Sequence, residues 1–564
     1  MCSAALVDAP EMQLRTDSPA QIFSDDNLVI CADARIDART ELCRQLNLPG
    51  CQKPSDAELI LRAYQRWGTH CLDRLLGDFS FAIWDENEKL LFCGRDHMGV
   101  KPFFYAAAEG EFVFSNRLRW LRELPLLRCC PNHLAIADFL LFGYGHSLDS
   151  ELTAVHPVRR LLAGHALTAQ FANRATPEVR TWRYWLPSEV HGPGSRTGEE
   201  YAEELRSILK LAVRDRLRGC TRAAVLMSGG LDSTSVAALT RQEVDCEAHT
   251  VVYDKLIADD ERKFAKIAGD AMQIPVHFWQ ADAYRLFERW SQSHFQLGEP
   301  HEAVLSAINT DVFEKVSLHS GVLLSGNGGD PLFRRPQGYW KACLRNSGPL
   351  RTIQEIKDYG CWMGRLPRLG LRTAARAALR GTKEEELTDF PIWIEPDLEQ
   401  EFQLRGRWQE WHEREQNFAS EGLSEAILDP FWGSDFEFHD PGVSEIPVEV
   451  RYPLFDLRVI SFLLSLPYGP WSFEKILLRL AMKDELPRRV RLRPKTPLQG
   501  DPVRTRLRRE PELFQRWEFA PSLRRYVDRK HLPLVTARGL DVSLDLRPFC
   551  LDYWLKNVGF SEMN

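Results

Sequence analysis

The sequence has no run approaching the ~18 apolar residues a spanning helix needs, so no transmembrane segment is expected. Its start, MCSAALVDAPEMQ, lacks a basic stretch followed by an apolar one, and no signal peptide is expected. Neither sign of charge dominates. The 72 basic and 79 acidic residues leave a net charge of −7, which argues against a protein whose field is built for nucleic acid. Cysteines at metal-ligand spacing are missing. The 13 cysteines are scattered, none forms a C-x-x-C pair, and Cys129-Cys130 is the only close pair. Neither a zinc site nor a disulfide framework is expected, and a reducing cytoplasm fits. Internal repeats and long low-complexity tracts are also absent.

What remains is an ordinary globular composition, 44% hydrophobic and 27% charged. The 564 residues are too many for one core, so two or three domains are expected. The densest chemistry lies at residues 223–242, AAVLMSGGLDSTSVAALTRQ. Ala223 to Met227 reads as a buried strand, Ser228-Gly229-Gly230-Leu231-Asp232-Ser233 as a tight loop, and Ser235 to Arg241 as a helix. Strand, glycine loop and helix in that order make an anion cradle from loop N–H groups and a helix N-terminus. The paired glycines let backbone approach a phosphate closely. Asp232 would repel that phosphate unless a cation lay between them, which points to Mg²⁺.

From Glu200 onward, helical and strand patterns alternate. Tyr201 to Arg216 is amphipathic, Ala248 to Tyr253, Val276 to Trp279 and Gly321 to Leu324 read as strands, and Asp260 to Ala268 as a helix with acids at its start. This pattern means a doubly wound parallel sheet with ligands beyond the carboxyl ends of its strands. After the fourth strand comes Ser325-Gly326-Asn327-Gly328-Gly329-Asp330. A second glycine loop with an aspartate is expected at the same sheet edge, so that Asp232 and Asp330 share the Mg²⁺ of one phosphate-bearing ligand.

Residues 1–185 carry short β signals instead. Asn27 to Asp37 reads as a strand and Ala57 to Arg66 as an amphipathic helix. Phe79 to Trp84 with Leu90 to Gly94, and Phe103 to Ala107 with Phe112 to Ser115, read as hairpins. An α+β layered domain is expected here. Asn132 reads as a helix cap, and residues 186–200 (LPSEVHGPGSRTGEE) as a linker.

These motifs carry a family resemblance. SGGLDSTS resembles the pyrophosphate-binding loop of ATP pyrophosphatases of the asparagine synthetase type. Gly77 to Tyr105 (GDFSFAIWDENEKLLFCGRDHMGVKPFFY) and Glu111 to Asn116 (EFVFSN) resemble that family's glutamine amidotransferase domain. The resemblance implies an Ntn-hydrolase-like α+β sandwich over 1–185, a linker over 186–200, and over 201–564 an α/β adenylating domain with helical additions. Glu449 to Asp456 (EVRYPLFD) resembles the family's Arg-x-Pro-Phe-Leu-Asp segment, and Trp471 to Ala481 its Lys-Tyr-Leu-Leu-Arg helix, which places Lys475 at the catalytic lysine position. Such a lysine would stabilise charge as pyrophosphate leaves. ATP contacts are implied for Ser228, Gly229, Gly230, Leu231, Asp232, Ser233, Gly326, Asn327 and Gly328, and metal ligation for Asp232 and Asp330. Arg493-Pro-Lys495-Thr-Pro497 resembles an Arg-x-Lys turn that is a candidate to close the site.

Other positions depart from the family. Cys2 stands where the family has its nucleophile, but Cys-Gly-Ile is here Cys2-Ser3-Ala4, and the glutamine-gripping Asn-Gly-Glu aligns with Asp33-Ala34-Arg35. An arginine cannot accept glutamine's α-ammonium group, so the first domain is expected to be degenerate as a glutaminase. Asp96 matches one remaining position and reads equally well as a structural pair with Arg95. Asn327 stands where asparagine synthetases carry glutamate and β-lactam-forming members a tyrosine, so altered acceptor chemistry is expected. A broken glutaminase fits attack by an amine of the substrate itself. Residues 331–445, rich in Trp and Arg, match least; most of their aromatics read as core, and a peptide groove is the sharper alternative.

The chain is most similar to the macrolactam synthetases of lasso peptides. That resemblance implies a ribosomal precursor (core) peptide as substrate, an Asp or Glu side chain joined to its N-terminal amine, and a leader peptidase and leader-recognition protein as partners. An asparagine synthetase or β-lactam-synthetase-like ligase, and a non-catalytic ATP-binding scaffold, remain open alternatives.

Overall fold

The computed structural model describes residues 2–8, 11–16, 21–48, 53–108, 111–171, 177–188, 196–292, 298–333, 339–367, 390–420, 423–466, 470–494, 498–510, 514, 516–532 and 542–558. Its first half is two antiparallel sheets face to face. The strand order in the five-stranded sheet is Arg159–Arg160, Phe104–Ala108, Glu111–Ser115, Cys2–Asp8, Glu11–Thr16. In the six-stranded sheet it is Glu178–Arg183, His165–Gln170, Leu90–Arg95, Gly77–Asp85, Leu28–Ile36, Gln21–Asp25. Trp84, Leu91 and Cys93 from one sheet meet Phe103, Tyr105, Phe112 and Phe114 from the other. The far side of the six-stranded sheet is covered by the helix Asp56–Trp67, whose start Ser55 caps by accepting from Glu58 N–H. With both faces covered, the strand Gly77–Asp85 is buried along almost its whole length rather than alternating. Both expected hairpins form.

The second half is built on a five-stranded parallel sheet in the order Val276–Gln280, Asp245–Val252, Arg222–Leu226, Val322–Leu324, Glu449–Arg451. The four expected strands are present, and the fifth lies in the EVRYPLFD segment. The helix Gly198–Arg216 starts ahead of Tyr201 because Thr197 and Glu200 form a reciprocal capping box. A helical layer completes this half. The C-terminal helix Val542–Val558 packs on His133–Phe142, and Trp393 and Trp408 are buried in the same cluster. The tryptophans of the 331–445 region therefore serve mainly as core. Trp432 too is packed, against Phe455 and Phe436.

The halves meet through buried ions. Arg216 pairs with Asp456 at 2.5 Å and lies 3.5 Å from Asp37 and 3.8 Å from Asp78. Arg35 joins the same web through Asp37 and, at 2.6 Å, Asp78. Lys101 bridges Asp33 at 3.0 Å and Glu449 at 3.2 Å. Glu437 receives Arg95 and Arg160, each at 2.9 Å. Burial alone would raise the Asp456 carboxyl, but Arg216 and Arg458 outweigh it and hold the group well below the usual carboxylate range. Ten described cysteines are free thiols. Cys31, by contrast, is in a disulfide.

Removing one member of a buried ion web strands its partners, at a cost of about 3–5 kcal/mol. Arg216→Met should therefore lower the midpoint of denaturant unfolding far more than Arg218→Met, whose guanidinium is partly exposed. Tryptophan fluorescence against denaturant checks this.

Candidate active site

The strands Arg222–Leu226 and Val322–Leu324 are parallel neighbours, with Val225 opposite Leu324. Their following loops therefore emerge side by side at the carboxyl edge, as the sequence pattern requires. In the first loop Ser233 Oγ accepts from Ser228 N–H at 3.1 Å, which closes the turn. The helix Leu231–Thr240 follows, and its N-cap is Gly230, not a serine. Gly229 takes φ +69°, and a Cβ there would stand 2.5 Å from Ala265 N. Glycine is needed on both counts. In the second loop Ser325 Oγ accepts from Asn327 N–H at 3.2 Å, and Ser325 N–H donates to Arg451 O at 2.9 Å.

The two loops touch. A Cβ on Gly326 would lie 2.6 Å from Ser233 Cα, and one on Gly329 only 2.1 Å from Asp232 Cγ. Gly329 is thus the residue over which the Asp232 carboxyl sits. Lys475 Nζ pairs with Asp232 and, at 2.6 Å, with Asp330. Two loops and a lysine from a distant segment converge on one point. Burial raises the Asp232 carboxyl, against the pull of Lys475. Its Oδ1 is buried without a hydrogen-bond partner among the described residues. An orphaned carboxylate oxygen beside a second, half-exposed carboxylate is what Mg²⁺ takes, since it binds through one or two carboxylates plus phosphate oxygens and water. No cluster of three or more potential ligands forms among the described residues. The donor set therefore fits a cation carried in with phosphates better than a resident all-protein metal site.

Lys475 has φ +57° and Glu474 φ +48°, two consecutive non-glycine residues in the left-handed region. The turn is held by Arg479, which donates to Glu474 O at 2.7 Å, and by the ion pair of Arg365 with Glu474. Ile476, Leu477 and Leu478, all buried, anchor the helix that follows. The strain sits at the residue that reaches the carboxylates and at the one before it.

Arg493 joins the site by donating to Gly229 O at 3.2 Å and by lying 4.0 Å above the Phe264 ring. Lys495, Thr496 and Pro497 lie outside the described residues. Glu261 was not foreseen. It sits 3.5 Å from Arg493, and burial pushes its carboxyl up to about 7. Leu231 is buried beneath the loop, Gly328 is held at φ +99° over the Phe455 ring, and Asn327 is exposed and donates to Asp435 Oδ2 at 3.3 Å.

In the first half, Cys2 opens a strand, and its side chain lies outside the described residues. Asp33 accepts from Asn116 and pairs with Lys101, while Arg35 is only 4% exposed in the ion web. Asp96 accepts from the backbone N–H of Phe79, Met98, Val100 and Lys101. It shapes the 96–101 loop and does not face Arg95, which instead donates to three carbonyls and Glu437.

Gly329→Ala is expected to part the two loops and weaken Mg·ATP binding at least tenfold, about 1.4 kcal/mol. Gly406→Ala, where a Cβ meets nothing within 4 Å, should leave binding unchanged. Titration calorimetry with a non-hydrolysable ATP analogue measures both.

Residues 16–185 match the glutamine amidotransferase domain, and residues 204–535, more than half the chain, match the asparagine synthase family. Asparagine synthetase [glutamine-hydrolyzing] 3 of Bacillus subtilis is 28% identical over 242 residues, 42% of this chain and 38% of that protein. The putative asparagine synthetase [glutamine-hydrolyzing] 2 of Methanocaldococcus jannaschii is 28% identical over 331 residues, 57% of this chain and 62% of that one. The chain thus spans between about two fifths and three fifths of the length of these two relatives. Glutamine phosphoribosylpyrophosphate amidotransferase from B. subtilis aligns over 60% of this chain and 64% of its own, at 12% identity and a TM-score of 0.21, too low to bear on the fold. The antiparallel sandwich is an amidotransferase (Ntn-like) domain and the parallel sheet an ATP pyrophosphatase domain. With its paired glycine loops, converging carboxylates and lysine, and the match over most of its second half, the chain belongs to the asparagine synthase family.

Proposed function

We propose that this protein is an ATP-dependent carbon–nitrogen ligase that activates a carboxylate as an acyl adenylate and joins it to an amine, releasing pyrophosphate and AMP. The observation that carries this reading is Lys475 Nζ held between Asp232 and Asp330 above the two interlocked glycine loops. Amides of Ser228–Ser233 and the helix N-terminus receive pyrophosphate oxygens. Asp232 and Asp330 would hold Mg²⁺, which would neutralise phosphate charge. Lys475 then turns from the carboxylates toward the reacting phosphate and stabilises the charge that develops there.

For the acceptor we propose an amine carried by the substrate itself. Arg35 supports this. A buried guanidinium tied to Asp37 and Asp78 occupies the position aligned with the group that would grip glutamine, and Lys101 engages Asp33 beside it. In this reading the substrate is a precursor (core) peptide, closed into an isopeptide macrolactam of the lasso type after a leader-recognition protein and a leader peptidase have acted. Holding both ends of one molecule can contribute roughly 7–11 kcal/mol at best. Asparagine synthesis is the second reading, favoured by the names of the relatives above.

Pyrophosphate release separates the two. Release with a leader-free linear peptide bearing a free α-amine and an internal Asp or Glu, and none with aspartate and ammonium, supports the macrolactam. The reverse supports asparagine synthesis. Asp232→Ala should abolish release in either case. The purified protein should also release no glutamate from glutamine; release that Cys2→Ala abolishes would overturn the degenerate-glutaminase reading.

A further inference from the structure

The acceptor half of the reaction needs a group that binds an ammonium ion and removes a proton from it. Asp232, Asp330 and Lys475 are committed to the phosphate side, and Asn327 cannot ionise. The helix Pro430–His439 brings one more carboxylate to this edge. Asp429 caps it by accepting from Phe431 N–H at 2.9 Å. Phe436 packs on Tyr452 and Phe455, with ring centroids at 4.5 and 5.2 Å, and Trp432 on Phe455 at 4.9 Å. Phe455 is also the ring beneath Gly328, so helix and second loop share one support. Positions two apart on a helix face opposite ways. Glu437 accordingly points to Arg95 and Arg160 of the amidotransferase domain, and Asp435 points to the second loop, where Asn327 Nδ2 meets its Oδ2 at 3.3 Å.

Asp435 is set apart from the other carboxylates of the site by its company. No lysine or arginine pairs with it among the described residues; His439 Nδ1 lies 3.8 Å from its Oδ1, and Tyr144 and Tyr452 are close enough to feel its charge. Its side chain is 19% exposed, so it is fixed but reachable. A positioned carboxylate with no lysine or arginine of its own, joined through Asn327 to the loop that carries Asp330, is suited to receive a cation brought by the substrate.

We propose that Asp435 binds the attacking ammonium group and takes one of its protons, with Asn327 orienting the carboxylate. This rests on the ligase reading above. The ammonium gives a proton to Asp435 and becomes a free amine. Its electron pair forms the C–N bond, and the C–O bond to the adenylate breaks with its pair leaving on AMP. The second nitrogen proton passes to water, as does the proton held by Asp435 when the cycle closes. A positioned base of this kind contributes typically 10²–10⁴-fold.

The test compares nucleophiles on the full-length protein with Mg·ATP. The carboxylate probes are L-aspartate and a linear peptide with a free α-amine and an internal aspartate. Hydroxylamine, uncharged near neutrality, attacks an acyl adenylate without needing a base, whereas ammonium and the peptide's α-ammonium group must first lose a proton. Asp435→Asn should lower amide formation by about 10²–10⁴-fold while hydroxamate still forms, and Asp435→Glu should recover part of the amide rate. Amide formation by Asp435→Asn at the wild-type rate overturns the proposal. So does loss of hydroxamate together with amide, which makes Asp435 a structural residue. If the wild-type protein yields pyrophosphate with neither probe, the ligase reading falls, and this inference with it.

Discussion

The site depends on a contact that a single methyl group would forbid. Asp232 lies over Gly329 so closely that a Cβ there would stand 2.1 Å from its carboxyl carbon, and Gly326 admits the backbone of Ser233 in the same way. Two loops from neighbouring parallel strands can therefore close on each other and present their carboxylates to one point. Coulomb repulsion between Asp232 and Asp330 makes that arrangement unstable without a cation. In the structure the cation is the Lys475 ammonium. A lysine held this way is in place for a charge that appears only when phosphates arrive. Its pair of left-handed backbone residues shows how closely the fold constrains the spot.

The same economy of charge governs the join between the halves. Arg35, Arg216, Lys101, Arg95 and Arg160 each meet carboxylates inside the interface. Buried ion webs of this kind fix geometry more than they add stability. Here they fix the helix Pro430–His439, which is tied to the amidotransferase domain through Glu437 and to the second loop through Asp435. The amidotransferase domain thereby shapes the paired-loop site by position. That role remains whatever has become of its own catalysis.

Much of this was legible in the sequence. The short apolar runs broken by polar turns over residues 79–115 and the alternation of helix and strand after Glu200 foreshadow the antiparallel sandwich and the parallel sheet, because strands covered on both faces write themselves as continuous apolar runs. The loops 228–233 and 325–330 were legible because glycine pairs beside aspartate have few other uses. Gly329, Asp435, Glu261 and Arg216 were not. Each owes its role to a residue distant in sequence, and nothing local distinguishes Asp435 in FWGSDFEFHD from the acids around it. The strand Glu449–Arg451 is only three residues long, too short to show a period. The tryptophans of the 331–445 region read mostly as core with a groove as the alternative, since both bury aromatic faces, and packing against Phe142, Phe455 and the C-terminal helix decides for core at most described positions.

The proposed adenylation requires that the carboxylate of the substrate, not water or an amine, attack ATP at the α-phosphorus. Turnover with substrate labelled with ¹⁸O in the reacting carboxylate follows that oxygen directly. One ¹⁸O atom is expected in the AMP released. Unlabelled AMP, or ADP and labelled inorganic phosphate in its place, would contradict it.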